Sequence, residues 1–310
     1  MPEIRILKPG DEAALEAFLL PRIESSMFLL SNLRHAGLVD RGGVFEGTYA
    51  AVLEQGTMAG VVAHYWNGNL VLQAAPQLRA LCRAALTASG RSLSGVIGPE
   101  KQAAAVVEAF GLETGTARLN ESEYLYRLAL ADLKVPAALT AGQVRGRRID
   151  QCDVAVLTEW RVHLSVESLG DEETPKLWEA CRESVERGLE RGWIWILEED
   201  GRPVATSAYN AATGGVVQIG GVWTPRDLRR RGYGRSAVAA SLLDGRRKGA
   251  DTAILFTGKG NVPAQKVYEA LGFERIGEYR LLLLGGPVDV VGDDRQGARP
   301  GIRGREGPER

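Results

Sequence analysis

The sequence predicts an α/β protein of the α+β kind: two domains, each a mixed, mostly antiparallel twisted sheet flanked by helices. Three observations predict it. One order of elements, a strand, two helices, three strands, then helix, strand, helix, strand, can be read twice along the 310 residues. Hairpin signals at Gln55-Gly56, Asn67-Gly68 and Glu199-Asp200-Gly201 separate alternating or apolar runs, which is how antiparallel strands are joined. A β-branched run at 216–223 empties through a loop directly into an amphipathic helix, and a second buried strand follows at 252–257.

Residues 4–7 alternate as a short strand, and Gly10-Asp11 caps a helix over 12–20. A second helix at 25–36 ends at Gly37. Strand-like segments follow at 44–54, 59–66 and 70–73, then a helix at 77–88, a buried strand at 94–97, a helix at 100–109 and a strand at 123–130. Residues 131–142 read as a connector, after which 144–149 starts the pattern again. Helices at 152–165 and 175–191, strands at 193–197 and 203–209, and the run from 216 complete the repeat. The expected division is therefore 1–130, a linker at 131–142, a second domain at 143–284, and a tail at 285–310. The tail is rich in Gly, Arg, Pro and Asp and too poor in apolar residues after Val291 to offset its chain entropy, so disorder is expected there.

Composition narrows the function classes. A formal net charge of -1 and a pI near 6.4 create no global field for nucleic acid or an acidic membrane. The three cysteines, Cys82, Cys152 and Cys181, lack metal-type spacing and suggest free thiols. The three histidines, His35, His64 and His163, are scattered and suggest neither a metal site nor a triad. With no long apolar run or leader-like start, the expectation is a soluble cytoplasmic protein, monomeric or homodimeric, with no nucleic-acid or membrane partner.

The loop after residue 223 carries the chemistry. It reads Arg229-Arg230-Arg231-Gly232-Tyr233-Gly234-Arg235 and runs into a helix N-terminus, where free N–H groups and the positive end of the helix dipole favour an anion such as a pyrophosphate. Two glycines permit close backbone approach; a simple tight turn is the alternative. Downstream stand Asn261, Ala264, Tyr268 and Gly272-Phe273. This order, [Gln/Arg]-x-x-Gly-x-Gly, helix, strand, Asn-x-x-Ala-x-x-x-Tyr-x-x-x-Gly-Phe, resembles the acetyl-CoA-binding half of the GNAT acyltransferase superfamily over roughly residues 143–284. The first half has no glycine pair at the corresponding turn, Ala74-Ala75-Pro76, and reads as a GNAT-like domain that no longer binds the cofactor.

The resemblance implies an N-acetyltransferase that takes acetyl-CoA and passes its acyl group directly to a small-molecule amine, a protein N-terminus or a lysine, without a metal. It implies that the pyrophosphate sits on residues 230–235, that the pantetheine arm lies along Gly220-Gly221-Val222-Trp223, and that a backbone N–H there meets the thioester carbonyl. Tyr268 matches the tyrosine that protonates the departing sulfur; a core aromatic is the alternative. Asn261 matches a residue that contacts CoA, and a plain helix cap explains it as well. Many relatives carry a glutamate on the strand eleven residues before the loop, and counting back from Arg229 gives Gln218, an amide that accepts no proton. Glu167, expected in the loop between the first two helices of the second half, is the substitute base, with a solvated surface carboxylate as its alternative. Trp160, Trp178, Trp193 and Trp195 either line an acceptor pocket or fill the core. Gln218 also motivates a rival class, a CoA-binding sensor or scaffold without turnover. A further rival, a nucleotide-binding module, is weakened because Gly258-Lys259-Gly260 is not a Walker loop.

Overall fold

A computed structural model describes residues 2–74 and 76–290. The first half runs β1 (Glu3–Ile6), α1 (Glu12–Leu19), α2 (Ile23–Ala36), β2 (Gly47–Glu54), β3 (Thr57–Tyr65), β4 (Asn69–Ala74), α3 (Leu78–Ser89), β5 (Leu93–Pro99), α4 (Glu100–Phe110) and β6 (Leu119–Ala129). After a connector that holds one short helix, α5 (Ala137–Thr140), the second half repeats the order. It runs β7 (Arg145–Arg148), α6 (Val154–Leu169), α7 (Pro175–Arg191), β8 (Ile194–Glu199), β9 (Arg202–Thr213), β10 (Val216–Trp223), α8 (Tyr233–Arg247), β11 (Thr252–Gly258), α9 (Val262–Leu271) and β12 (Glu274–Val288). Local chemistry sets several boundaries. Thr174 caps α7 by accepting the Leu177 N–H, with Pro175 in the first turn, and Gly192 ends that helix at φ 63°. Helix α6 ends at Gly170, φ 67°, one turn beyond the expected stop at 165.

All the strands join one sheet, twelve-stranded among the described residues, in the order β1-β2-β3-β4-β5-β12-β6-β11-β10-β9-β8-β7. Its pairs are antiparallel except β4 with β5 and β10 with β11, the two pairs linked by the crossover helices α3 and α8. The centre holds an exchange. Strand β6 of the first half pairs along β11, from Thr252↔Ala129 to Gly258↔Glu123, while β12 of the second half pairs with β5. The divisions 1–130 and 143–284 thus mark where the order of elements restarts, and the hydrogen-bonded sheet runs across them.

The expected tail at 285–310 needs a correction at its start. Gly285 to Val288 continue β12, and Val288 stands opposite Leu93. Gly285 is there because a Cβ would press to 2.5 Å from the Thr116 carbonyl oxygen, so a close backbone approach looked like loop composition. Residues 291–310 lie outside the described residues.

Apolar alternation builds cores on both sheet faces. In the first half, Leu81, Leu86, Leu72 and Val96 pack under α3 and α4, and Leu15, Leu30, Ala63 and Val71 under α1 and α2. In the second half, Val238, Leu242, Leu255, Tyr268 and Leu271 pack beneath α8 and α9. The opposite face carries Leu157, Trp160, Val185 and Trp223 under α6 and α7, and Leu125 and Ile254 against Met27 of α2. Helix α2 therefore covers part of the second half's sheet.

One buried group has a measurable consequence. His64 is fully buried, and burial pushes its imidazole down to about 4, with Arg91 adding to the effect and Asp40 opposing it. The unfolded chain binds that proton near pH 6.5 and the native state does not, so stability falls as pH drops from 6.5 towards 4, by on the order of 3 kcal/mol. Urea denaturation over that interval should show the loss, and NMR should find the ring still neutral at pH 5.5.

Candidate active site

Strand β10 leaves the sheet at Trp223, turns at Thr224-Pro225, makes a 3-10 turn over Arg226–Leu228, and reaches Gly232, which precedes α8 with φ 84°. That dihedral is what requires glycine there; a Cβ would meet nothing within 4 Å. The Ser236 N–H bonds back to the Gly232 carbonyl, which leaves the N–H groups of Tyr233, Gly234 and Arg235 as the unpaired donors of the first turn. Tyr233 turns its side chain inwards, 6% exposed, and its hydroxyl donates to the Glu199 carboxylate. The bend is thus free of its own side chains. At Gly234 the only atom near a would-be Cβ is Thr224 Oγ1, at 3.4 Å.

The arginines divide. Arg229 is structural: its Nε donates to the Thr224 carbonyl, its guanidinium lies 2.8 Å from Glu167 and 4.7 Å above the Trp223 ring. Arg231 reaches the Asp227 carbonyl. Arg230 is exposed, with φ 67°, and Arg235 has a buried Nε without a hydrogen-bond partner among the described residues.

Beside the loop the sheet opens. Strands β10 and β11 pair in parallel from Val216↔Thr252 to Ile219↔Leu255, and pairing stops there although β10 runs on to Trp223 and β11 to Gly258. Irregularities on the β9 side, between Gln218 and Ile219 and between Gly220 and Trp223, bend β10 away. Gly221 sits in this bend with φ 57°, and a Cβ on Gly220 would collide with the Asn210 side chain. The result is a cleft between two diverging strands, edged on the β10 side by the backbone of Gly220, Gly221, Val222 and Trp223.

Tyr268, on α9, packs against Tyr126 and Phe273 and is 8% exposed. Burial pushes its phenol up to about 12, and the charge of Glu123 adds to the rise. Its hydroxyl makes no hydrogen bond among the described residues. Asn261 caps α9 by accepting the Ala264 N–H at 3.2 Å, so both residues have a structural task at the helix start. Gln218 lies in the paired part of β10 opposite Ile254, 1% exposed, with its Oε1 unpartnered among the described residues.

Glu167 needs a correction. It belongs to the last turn of α6, and its carboxylate bridges Arg226 and Arg229 at 3.0 and 2.8 Å. Those guanidiniums hold its carboxyl below the usual range, which makes it a weaker base than a free glutamate and ties it to the shape of the loop. Of the tryptophans, Trp160 lines a cavity beside the cleft, Trp195 is buried against Tyr209, and Trp178 is exposed.

Sequence reasoning missed Glu123. It stands on β6, in register with Gly258 at the open end of β11 and, on its other side, with Tyr279 of β12. Burial pushes its carboxyl up to about 7, and the neighbouring Glu121 charge helps. By strand alternation it shares the face of Leu125, whereas Tyr126, whose ring contacts Tyr268 of α9, lies on the other face. A group able to take a proton at neutral pH thus stands on the strand next to β11, and its charge is felt by a phenol able to give one. The one signal available was a glutamate at a core-facing position of an apolar strand. Among the described residues no cluster of His, Cys, Asp or Glu could hold a metal ion, and no helix is long and apolar enough to cross a membrane.

Residues 154–273 match the acetyltransferase (GNAT) family. No curated protein matches. Among solved structures, a Drosophila protein superposes with a TM-score of 0.64 at 15% identity, covering 91% of this chain and 98% of that one. A tandem GNAT protein from the clavulanic acid biosynthesis pathway gives 0.56 at 16% identity, covering 93% and 100%. An N-acetyltransferase from Sphaerobacter thermophilus gives 0.55 at 15% identity, covering 93% and 97%. At these identities the likeness is one of fold.

Proposed function

The second half of the chain is an acyltransferase domain of the GNAT family, and from that premise we propose that the protein transfers an acetyl group from acetyl-CoA directly to a primary amine. The observation that carries the reading is the meeting of three features: diverging strands β10 and β11, an unobstructed helix N-terminus at one end of them, and Glu123 on the strand next to β11, its charge felt by Tyr268.

The residues present fit the co-substrate. The first-turn N–H groups of α8 form a cradle that a side chain at 234 would narrow, and the exposed Arg230 and the unpartnered Arg235 Nε add positive charge beside it. The free edge of Gly220 to Trp223 would pair with the amides of the pantetheine arm. Acetyl-CoA supplies an activated acyl carbon, so one N–C bond forms and one C–S bond breaks. Glu123, directly or through a water, accepts the proton that the amine loses, because a base titrating near 7 is half ionised at neutral pH. Tyr268 stays protonated and donates to the departing sulfur. A backbone N–H at Val222 or Trp223 steadies the oxyanion.

Glu123 also removes the motive for a sensor without turnover, which was the amide at Gln218. Lys259 of Gly258-Lys259-Gly260 is ion-paired to Glu278 at 2.9 Å and lies at the end of β11, which does not suit a phosphate loop. The free cysteines, with Cys82 and Cys181 buried, fit a cytoplasmic setting.

Steady-state release of free thiol from acetyl-CoA over a panel of amines tests the reading; binding of acetyl-CoA with no turnover on any amine would favour the sensor. Tyr268→Phe should lower kcat by roughly 10- to 100-fold while the Kd for acetyl-CoA stays within about twofold. Unchanged kcat would leave Tyr268 a core aromatic.

A further inference from the structure

Beside the cleft, on the face covered by α6 and α7, lies a small cavity of about 90 Å³ whose walls include Leu157, Trp160, Leu164, Val185 and Ile194. Residues of β8, β9 and β10 floor it, and none of β11 does, so it opens on the side of β10 away from the cleft's far wall. Arg161 of α6, half-buried, lines it together with the polar Ser184, Thr206 and Asn210. Its Nη1 stands 3.5 Å from where a Cβ on Gly221 would be, at the bend of β10.

Arg161 makes no ion pair and no hydrogen bond among the described residues; the group that acts on it is the buried Cys181 thiol. Burial alone pushes the guanidinium below its ordinary range. Trp223, whose buried Nε1–H has no partner among the described residues, lines the same cavity. Other interior arginines of this chain have carboxylates: Arg147 holds Asp153 and Glu198, and Arg280 holds Glu100. A half-buried cation without a counterion beside an indole N–H without an acceptor leaves two donors unmet on one cavity, and a small anion with several acceptor lone pairs would satisfy both.

We propose that this cavity is a carboxylate subsite and that the amine acceptor is an amino acid or similar small molecule, whose carboxylate is gripped by Arg161, with the Trp223 indole N–H as a second donor. The proposal rests on the acetyl-transfer reading. Because Arg161 abuts Gly221, the reacting nitrogen must lie within a few bonds of the carboxylate. A lysine side chain or the N-terminus of a protein carries no carboxylate there, and neither does an aminoglycoside.

The test has a binding arm and a turnover arm, both on the full chain. Calorimetry compares small N-acetyl amino acids, the expected products, with their carboxamides. The wild type should bind the acids at least tenfold tighter, and Arg161→Gln should lose that preference, weakening acid binding on the order of a hundredfold; Arg161→Lys should keep part of it. Equal binding of acids and amides by the wild type overturns the proposal with no variant needed. Arg161→Gln should keep its melting temperature and its acetyl-CoA shift, since it removes an unpaired charge. The turnover arm compares alanine with ethylamine using acetyl-CoA, and ethylamine with succinyl-CoA. Preference for alanine that depends on Arg161 supports the acceptor assignment; dependence on Arg161 with succinyl-CoA instead assigns the carboxylate to the acyl group and overturns it. Failure of any amine to release thiol sinks the transferase reading, and calorimetry still reads the carboxylate site.

Discussion

Glu123→Gln should lower kcat by about 10²- to 10⁴-fold while leaving acetyl-CoA affinity nearly unchanged. The amide keeps the shape of the side chain and removes its ability to take a proton, so the variant separates chemistry from packing. The wild-type rate should rise with pH through about 7 as the carboxyl ionises, because burial and Glu121 hold the proton on it below that value. Tyr268 and Tyr279, the phenols that feel its charge, stay protonated across this range, since burial pushes both up. In the variant that limb should vanish. A rate loss with the limb retained would assign the base elsewhere and leave Glu123 a positioning residue.

Gly234→Asp should abolish acetyl-CoA binding, weakening it at least a hundredfold, while the protein melts at the same temperature or higher. The two effects have opposite signs for one physical reason. A carboxylate in the first turn of α8 complements the helix dipole, worth about 0.3–1 kcal/mol, and the space around a Cβ there is open except for Thr224 Oγ1 at 3.4 Å. The same carboxylate occupies the place of a phosphate and repels its charge. Calorimetry with acetyl-CoA beside a thermal melt reads both effects. Undiminished binding would remove α8 from the cofactor site.

Much of this could be read from residues near one another in the chain. The hairpin at Asn67-Gly68, the caps at Thr174 and Asn261, and the strand, loop and helix around Gly232 are local devices, and each stands where its own sequence puts it. Glu123 was not legible, because it comes beside the end of β11 from the other half of the chain through pairing between β6 and β11. Arg161 was not legible either; on a helix such a residue reads as solvated surface until the partner facing it is known, and here that partner is the bend at Gly221. Glu167 lies in the last turn of α6 because the helix runs on past Ser165 and stops at the glycine at 170, a distinction of one turn that local signals do not make. Inside the helix, its carboxylate meets Arg226 and Arg229.

The exchange of β6 and β12 has a consequence for how the protein is made. When the first half has left the ribosome, β5 has β4 on one side only, and β6 has no partner strand until the chain beyond it has emerged. Synthesis must reach β12 before the middle of the molecule can close, so a nascent chain cut short anywhere before residue 274 presents bare strand edges, the kind of surface on which chaperones act.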